Sequence, residues 1–407
     1  MQNRKCGSFL LRFFKNFETR RKNLNKKQTR NKEYSEATQV LYLAFDLGAP
    51  NWKLAFSIGS GQQPRQRNVV ARDLAGLQKE ILKAKKRFGV AEEAAVVSCY
   101  EAGRDGFWLD RYLACAGIKN LVVDSSSIEV NRRKRRAKTD KLDAASLLRL
   151  LIRHHLHGEH KVWSLVRPPS PEEEDRRQLN RERSTLKKEK ERTSSRIRGL
   201  LATQGIRLSG PLDLSDRCLE SIRLWDGSRL PERLKNRLRR EWKHLTFLKE
   251  QMAAVEQEGK GELRRGEEPD LEKVEALQKL RGIGPVGSWV LVREMFGWRR
   301  LRNRRQVASL AGLTPTPFNS GTIIHEQGIS KAGNRRIRAV AIELAWCWVR
   351  FQPDSALTRW YIQRFEEGGK RARKVGIVAL ARRLLIELWR FLETGVLPEG
   401  AQLKVQA

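Results

Sequence analysis

Short apolar runs alternate with helical patterns between residues 40 and 156, and they predict most of the secondary structure in this part of the chain. Five runs read as strands because they are apolar, rich in β-branched or aromatic residues and bounded by turn residues. They are Val40–Leu47, Trp52–Gly59, Arg67–Ala71, Ala94–Glu101 and Asn120–Asp124. Helices are predicted at Leu74–Phe88, at Gly106–Cys115 and from Thr139 onward.

The order of these elements, β-β-β-α-β-α-β-α, predicts the fold class. Central strands that are continuously apolar indicate a sheet covered by helices on both faces. The order is that of a ribonuclease-H-like α/β domain, which we expect to cover residues 39–165. The last helix, which includes Ala137–Leu151, is apolar nearly all round, so we expect it to pack into the core.

The pattern becomes helical after the Pro-rich acidic segment Val166–Asp175, which reads as a linker. The stretch Arg176–Gln204 has apolar residues at heptad spacing, and Leu234–Val255 has them at three- and four-residue steps. Together they predict an antiparallel helical hairpin of the coiled-coil type, a candidate for dimerisation. Its many basic residues either contact a nucleic-acid backbone or form a solvated face, and the sequence leaves both open.

A glycine-rich turn opens the last part of the chain. In Leu280–Val292, the residues Gly282 and Gly284 precede an apolar helix, as in a helix-hairpin-helix-like motif. Free backbone N–H groups at such a turn can hold a phosphate, although an ordinary interhelical turn has the same composition. We therefore expect five segments: a basic arm at 1–38, an α/β domain at 39–165, a linker and helical hairpin at 166–269, a mainly helical domain at 270–395 and a tail at 396–407.

Four carboxylates occupy positions from which they could converge. Asp46 and Glu101 end the first and fourth predicted strands, while Asp140 and Asp143 are neighbours on the helix after Thr139. Such a group of anions requires cations among them, and an all-oxygen site suits Mg²⁺. The alternative for the helical pair is an ordinary helix start, with Thr139 as N-cap and Asp143 paired with a lysine or arginine.

A Ser-Gly step at Ser320 lies in a Pro-rich loop and supplies a candidate nucleophile. A second loop and a helix start follow, and their cations could hold a phosphate while a hydroxyl attacks it. These cations are Lys331, Arg335, Arg336 and Arg338. Ser330 is a competing serine, and a Ser-Gly step is most often an ordinary turn.

Composition points to a nucleic-acid partner. The chain has 82 Lys+Arg against 47 Asp+Glu, a formal charge of +35, which favours binding to a polyanion. A dense basic run precedes the helical acid pair and is expected to bind nucleic acid: Arg132, Arg133, Lys134, Arg135 and Arg136, with Lys138. The five scattered cysteines argue against a zinc site or a disulfide framework. No apolar run is long enough to predict a membrane span.

Five motifs in order resemble the DEDD transposases of bacterial insertion sequences, of the insertion-sequence one-ten family. They are FDLGAPNWKLAF, CYEAGRDGFWL, AKTDKLDAASLL, LRGIGPVGSWVL and LAGLTPTPFNSG with GISKAGNRRIR, between Leu41 and Phe365. The resemblance implies a RuvC-like N-terminal domain, a coiled-coil linker and a C-terminal transposase domain. Family members are described as bridge-RNA-guided serine recombinases.

The resemblance also implies the chemistry. It assigns Asp46, Glu101, Asp140 and Asp143 to a Mg²⁺ site and Ser320 to the nucleophile that becomes linked to DNA. It implies a noncoding guide RNA, a dimer or tetramer, and a bacterial cytoplasmic protein associated with the nucleoid. Two other functions remain open: a RuvC-like nuclease or junction resolvase that uses activated water, and a non-enzymatic nucleic-acid-binding protein whose acids are structural.

Overall fold

The computed structural model of the chain describes residues 39–103, 106–128, 140–207, 213–266, 270–320 and 323–404. They divide into two compact units, one ending at Leu165 and the other beginning at Val166. Each unit has its own hydrophobic core. The finer division of the chain into five segments remains a prediction. No helix in the described residues is both long enough and apolar enough to cross a membrane.

The first unit is a mixed α/β domain built on one five-stranded sheet. Its strands are β1 Leu41–Leu47, β2 Asn51–Ser57, β3 Arg65–Val70, β4 Val96–Glu101 and β5 Lys119–Val123. Its helices are α1 Leu74–Phe88, α2 Trp108–Cys115 and α3 Asp140–Leu156. The sheet order is β3-β2-β1-β4-β5; β1 pairs antiparallel with β2 and parallel with β4. The predicted α/β class and all five predicted strands are confirmed.

The centre of this sheet is buried on both faces, which explains its continuous apolar runs. In β1, Leu41, Leu43 and Phe45 are on one face and are almost fully buried. Tyr42 and Ala44 are on the other face, in a core that includes one side of α3. Helix α3 is therefore packed against the sheet, as its apolar sequence predicts.

The second unit is mainly helical, as predicted. Its helices are α4 Pro171–Asp175, α5 Gln178–Ala202, α6 Asp216–Ser221, α7 Glu232–Arg265, α8 Leu271–Lys279, α9 Pro285–Leu291, α10 Arg304–Leu310, α11 Arg335–Phe351, α12 Ala356–Phe365 and α13 Gly369–Thr394. A π-helical turn, Val292–Phe296, continues α9. The two strands of this unit, β6 Pro315–Ser320 and β7 Ile323–Ile329, pair antiparallel.

Helices α5 and α7 form the predicted antiparallel hairpin. Arg183 in α5 pairs with Glu256 in α7, whereas the later Arg196 pairs with the earlier Glu241. Residues later in α5 thus pair with residues earlier in α7, so the two helices run in opposite directions. Their facing apolar residues form a core with α6: Ile197, Leu201, Leu219, Leu238 and Leu245.

Two segments differ from the sequence expectation. Residues 315–320 and 323–329, expected to be loop, form the two strands of a β-hairpin, with irregular register between Pro315 and Pro317. Proline lacks the N–H that a strand donates, so these prolines hide the strand signal, while a bulge and an edge position accommodate them. The expected linker also contains α4, because Ser170 caps it by a capping box with Glu173.

Candidate active site

Asp46 and Glu101 lie side by side at the ends of two adjacent parallel strands. Phe45 of β1 is in register with Tyr100 of β4, so the next position on each strand is an acid. The carboxyl ends of parallel strands meet at one edge of a sheet, a common place for ligands in α/β folds. The two acids, predicted from separate motifs, are thus brought together by the fold.

Both acids are on the sheet face that α3 covers. Tyr42 and Ala44 of β1, and Cys99 of β4, belong to the core shared with α3. Side chains alternate between faces along a strand, so Asp46 and Glu101 take the same face as these residues. Burial and the nearby charge of Glu101 both raise the pKa of the Cys99 thiol, which is consistent with this arrangement.

Helix α3 runs opposite to β1, with its start toward the acids. His155, near the end of α3, has Nδ1 3.2 Å from the Tyr42 hydroxyl, at the start of β1. The backbone carbonyl of Leu147, which is nearer the start of α3, lies 3.9 Å from the Cys99 sulfur. The helix advances about 12 Å over these eight residues, toward the strand ends that carry Asp46 and Glu101.

A cleft of about 420 Å³ opens where the strands end, and Asp46, Glu101 and Leu147 all line it. Helical spacing places positions 140 and 143 on the same face of α3 as Leu147, two turns and one turn before it. The backbone of α3 is therefore consistent with four acids around one cleft. The side chains of Asp140 and Asp143 lie outside the described part of the chain, as do Thr139 and the predicted basic residues Arg132, Arg133, Lys134, Arg135, Arg136 and Lys138.

The cleft fits a hard divalent cation by the chemistry of its donors. Asp46 and Glu101 supply carboxylate oxygens, the ligands that Mg²⁺ prefers, from adjacent rigid strands. Among the side chains that the structure describes, no group of three or more His, Cys, Asp or Glu converges. Asp140 and Asp143 are outside that set. Of the four acids predicted to form the site, the structure therefore describes the side chains of two, Asp46 and Glu101.

Ser320 is the last residue of β6. It is in register with Ile323, the first residue of β7. Its side chain lies outside the described residues. The sequence predicts a serine on a flexible turn, whereas the structure makes it the end of a paired strand.

Ser330 and the predicted cations are at the opposite end of this hairpin. The Ser330 N–H donates to the Thr314 carbonyl, which closes the base of the two strands. Lys331, Arg335 and Arg336 follow and are exposed. Strand β7 alone spans about 20 Å, so within the second unit the fold separates Ser320 from these cations.

The hairpin base is a close packing of backbone held by Arg338. The guanidinium of Arg338 donates to the carbonyls of Ala311 and Lys331, at 3.2 and 3.0 Å. A Cβ on Gly312 would lie 2.1 Å from the Ala332 carbonyl oxygen, so only glycine fits there. Arg338 therefore holds the loop in shape, a positioning role that the sequence did not reveal.

The glycine-rich turn joins α8 to α9, as the helix-hairpin-helix-like motif predicts. Gly282 has a positive φ of 83°, and a Cβ there would meet the Cys347 carbonyl at 3.2 Å. Gly284 is the N-cap of α9, and space for a Cβ is open there. Gly282 thus has a packing role, and Gly284 faces open space, where a phosphate contact remains a prediction.

A buried acid, Glu294, joins three parts of the second unit and was not singled out from the sequence. It is 1% exposed, and its carboxylate accepts hydrogen bonds from Arg181 of α5 and from Asn334, the N-cap of α11. Burial alone would raise the pKa of this carboxyl, but the hydrogen bonds and charge of Arg181, with Asn334 and Arg177, lower it. The only sequence signal is a charged pair, Arg293 and Glu294, inside an apolar run.

Comparisons with known proteins agree with this architecture. Residues 45–204 match the family model of the IS110-type DEDD "Transposase", and residues 274–360 match that of the "Transposase IS116/IS110/IS902 family". The chain is 41% identical over 380 residues to the "Putative transposase y4rJ" of Sinorhizobium fredii, covering 90% of this chain and 95% of the relative. It is 24% identical over 229 residues to the "Transposase for insertion sequence element IS1328" of Yersinia enterocolitica, covering 56% and 60% of the two chains.

Proposed function

The chain belongs to the IS110 family of DEDD transposases, enzymes that act on DNA by strand cleavage and transfer, and we propose that it cuts and rejoins DNA at the ends of an insertion sequence with a RuvC-like carboxylate site and a serine. One observation carries the proposal. Asp46 and Glu101 end adjacent parallel strands on the face covered by α3, the helix that carries the other two acids of the DEDD set.

Asp46 and Glu101, with Asp140 and Asp143, would hold a divalent cation, Mg²⁺, at the end of the sheet. Bound there, Mg²⁺ would stabilise negative charge on the oxygens of a phosphodiester during displacement. The rigid strands and the packed helix keep the carboxylates in place, so that little reorganisation is required when DNA binds.

Ser320 is the nucleophile of the strand-transfer step. Its Oγ attacks a DNA phosphorus, an Oγ–P bond forms, and the bond from phosphorus to the leaving sugar oxygen breaks. The serine gives up its proton and the released sugar hydroxyl gains one, through solvent. Because the covalent link conserves the phosphodiester bond energy, attack by another sugar hydroxyl rejoins strands without ATP.

Basic residues hold the DNA during this exchange. Lys331, Arg335 and Arg336 lie exposed beside the hairpin base, where they suit phosphate binding. The hairpin separates these cations from Ser320 within one chain. The serine and the cations would therefore contact different phosphates, or the same phosphate from different protomers. This is consistent with a dimer or tetramer in which sites are completed across chains. A noncoding RNA from the element selects the DNA in this proposal.

A denaturing protein gel tests the covalent step directly. Labelled element-end DNA is incubated with the protein, flanking RNA and Mg²⁺, and then denatured. A labelled protein band that S320A lacks and S330A retains supports the serine assignment. Free cut DNA with no labelled protein band would instead favour the alternative, a RuvC-like nuclease that hydrolyses DNA with water.

A further inference from the structure

A second cleft, in the C-terminal part of the second unit, is lined mainly by arginine. Its volume is about 510 Å³, and it lies between the start of α10 and one face of α13, with α12 contributing. The residues that line it are Arg304, Arg305, Leu357, Arg382, Arg383, Ile386, Glu387 and Arg390. Five arginines and one glutamate at one cleft make it strongly cationic.

The charge of this cleft is not neutralised by its own residues. Glu387 pairs with Arg390 at 2.8 Å, and the described lining of the cleft holds no second carboxylate for the other four arginines. Burial lowers the pKa of Arg383, and the charges of Arg364 and Arg382 lower it further, against the opposing charge of Glu387. Like charges held this close repel one another, so an anion in the cleft would be strongly stabilised.

One arginine has a buried donor with nothing to bind. The Nε of Arg382 is inaccessible to solvent and has no hydrogen-bond partner among the described residues. A buried donor without a partner destabilises the folded state, so its presence requires an explanation. Arg382 therefore lies in the cleft with unused donor capacity.

The placement of Arg304 and Arg305 also opposes stability. They occupy the first turn of α10, whose positive end disfavours cations. Asn303 caps that turn through the N–H groups of Arg305 and Gln306, so the helix starts at a fixed residue. Both side chains are exposed, so their guanidinium groups are accessible to a ligand in the cleft.

Part of the cleft is preformed. Arg383 stacks on the Trp360 ring at 4.0 Å, which restricts its guanidinium. Leu357 and Ile386 form a buried apolar floor. Restricted side chains lose less entropy on binding, and an aliphatic floor offers no hydrogen bond to a nucleobase.

From this geometry we propose that the cleft binds the phosphodiester backbone of a nucleic-acid strand, independently of base sequence. Guanidinium groups match phosphate oxygens by paired hydrogen bonds, and several phosphates in sequence fit several arginines better than one small anion does. The inference rests on the proposed function only in assuming that the chain handles nucleic acid. It adds a holding site apart from the carboxylates and the serine.

Salt-dependent binding of random-sequence duplex DNA and single-stranded RNA tests the cleft. Fluorescence anisotropy is measured in EDTA, so strand cleavage plays no part and the outcome is separate from that of the proposed chemistry. The variants are R304Q/R305Q and, separately, R382Q, and the charge-matched control is K86Q/R87Q, two exposed positions of α1.

We expect R304Q/R305Q to weaken binding by about tenfold or more at 0.1 M salt and to reduce the slope of log K against log salt by about 1–2. R382Q should reduce the slope by roughly half as much. Loss in the DNA arm alone identifies DNA as the ligand, and loss in the RNA arm alone identifies RNA. Unchanged binding in both arms, or an equal loss in the control, would overturn the proposal. Thermal melting equal to wild type shows that the variants are folded.

Discussion

Arg181 and Glu294 form a two-point ion pair in the second unit, with nitrogen–oxygen distances of 2.9 and 3.2 Å. The arginine belongs to the long helix α5 and the glutamate to the π-helical turn of the C-terminal core. The same carboxylate accepts from Asn334 at 2.8 Å. One buried acid thus fixes the helical hairpin and the start of α11 to a common point.

Removal of the arginine should destabilise the protein strongly. R181M leaves Glu294 buried without its main partner, and we expect a loss of about 3–5 kcal/mol in the free energy of unfolding. R183M is the matched control, because the pair of Arg183 with Glu256 is more exposed and should be worth about 1 kcal/mol or less. Urea unfolding measures both, and equal losses would show that Glu294 is not the anchor.

Acid should weaken this anchor. The pKa of Glu294 is lowered in the folded protein from an ordinary value of 4.5, so its contribution is present above that pH. As pH falls below about 4.5 and through the lower folded pKa, the unfolded chain takes up the proton first and the contribution is lost. The E294Q variant has no carboxyl group to protonate at this position. Its free energy of unfolding should therefore fall less steeply than that of wild type between pH 5 and pH 3. Parallel profiles for wild type and E294Q would contradict this.

Gly312 should be irreplaceable at the hairpin base. G312A places a Cβ about 2.1 Å from the Ala332 carbonyl oxygen at a positive φ of 64°, so the backbone must move. G328A, also at positive φ but in open space, carries only the conformational penalty of about 1–2 kcal/mol. We expect G312A to lose clearly more stability and, because the hairpin carries Ser320, to lose the covalent DNA product. Similar effects of the two substitutions on urea unfolding would argue against close packing at this point.

The sequence predicts local structure where one residue pattern decides it. Helix α1 has the predicted end residues, and in the structure Asp73 caps one end and Gly89 closes the other. The two strand-end acids were found because the buried strands before them are unmistakably apolar. The β-hairpin was missed because its prolines suppress the strand signal. Its two strands form by pairing with each other, which the local residue pattern of either strand does not predict.

Contacts between distant residues explain the rest of the difference. Arg338 was predicted to bind phosphate, which remains a prediction, and the structure adds that its Nη1 donates to two backbone carbonyls. The arginine cleft joins Arg304 to Arg382, and no spacing rule connects positions so far apart. The buried role of Glu294 likewise depends on α5, more than a hundred residues earlier.

The carboxylate site is tested most directly by cutting of end-labelled element DNA, with Mg²⁺ or with EDTA, by D46N and E101Q. The control is E93Q, an exposed acid before the start of β4, away from the cleft. We predict that wild type and E93Q cut only with Mg²⁺, and that D46N and E101Q bind DNA normally but cut at least about a hundredfold more slowly. Cutting by D46N and E101Q at the wild-type rate would contradict a catalytic site at the ends of β1 and β4.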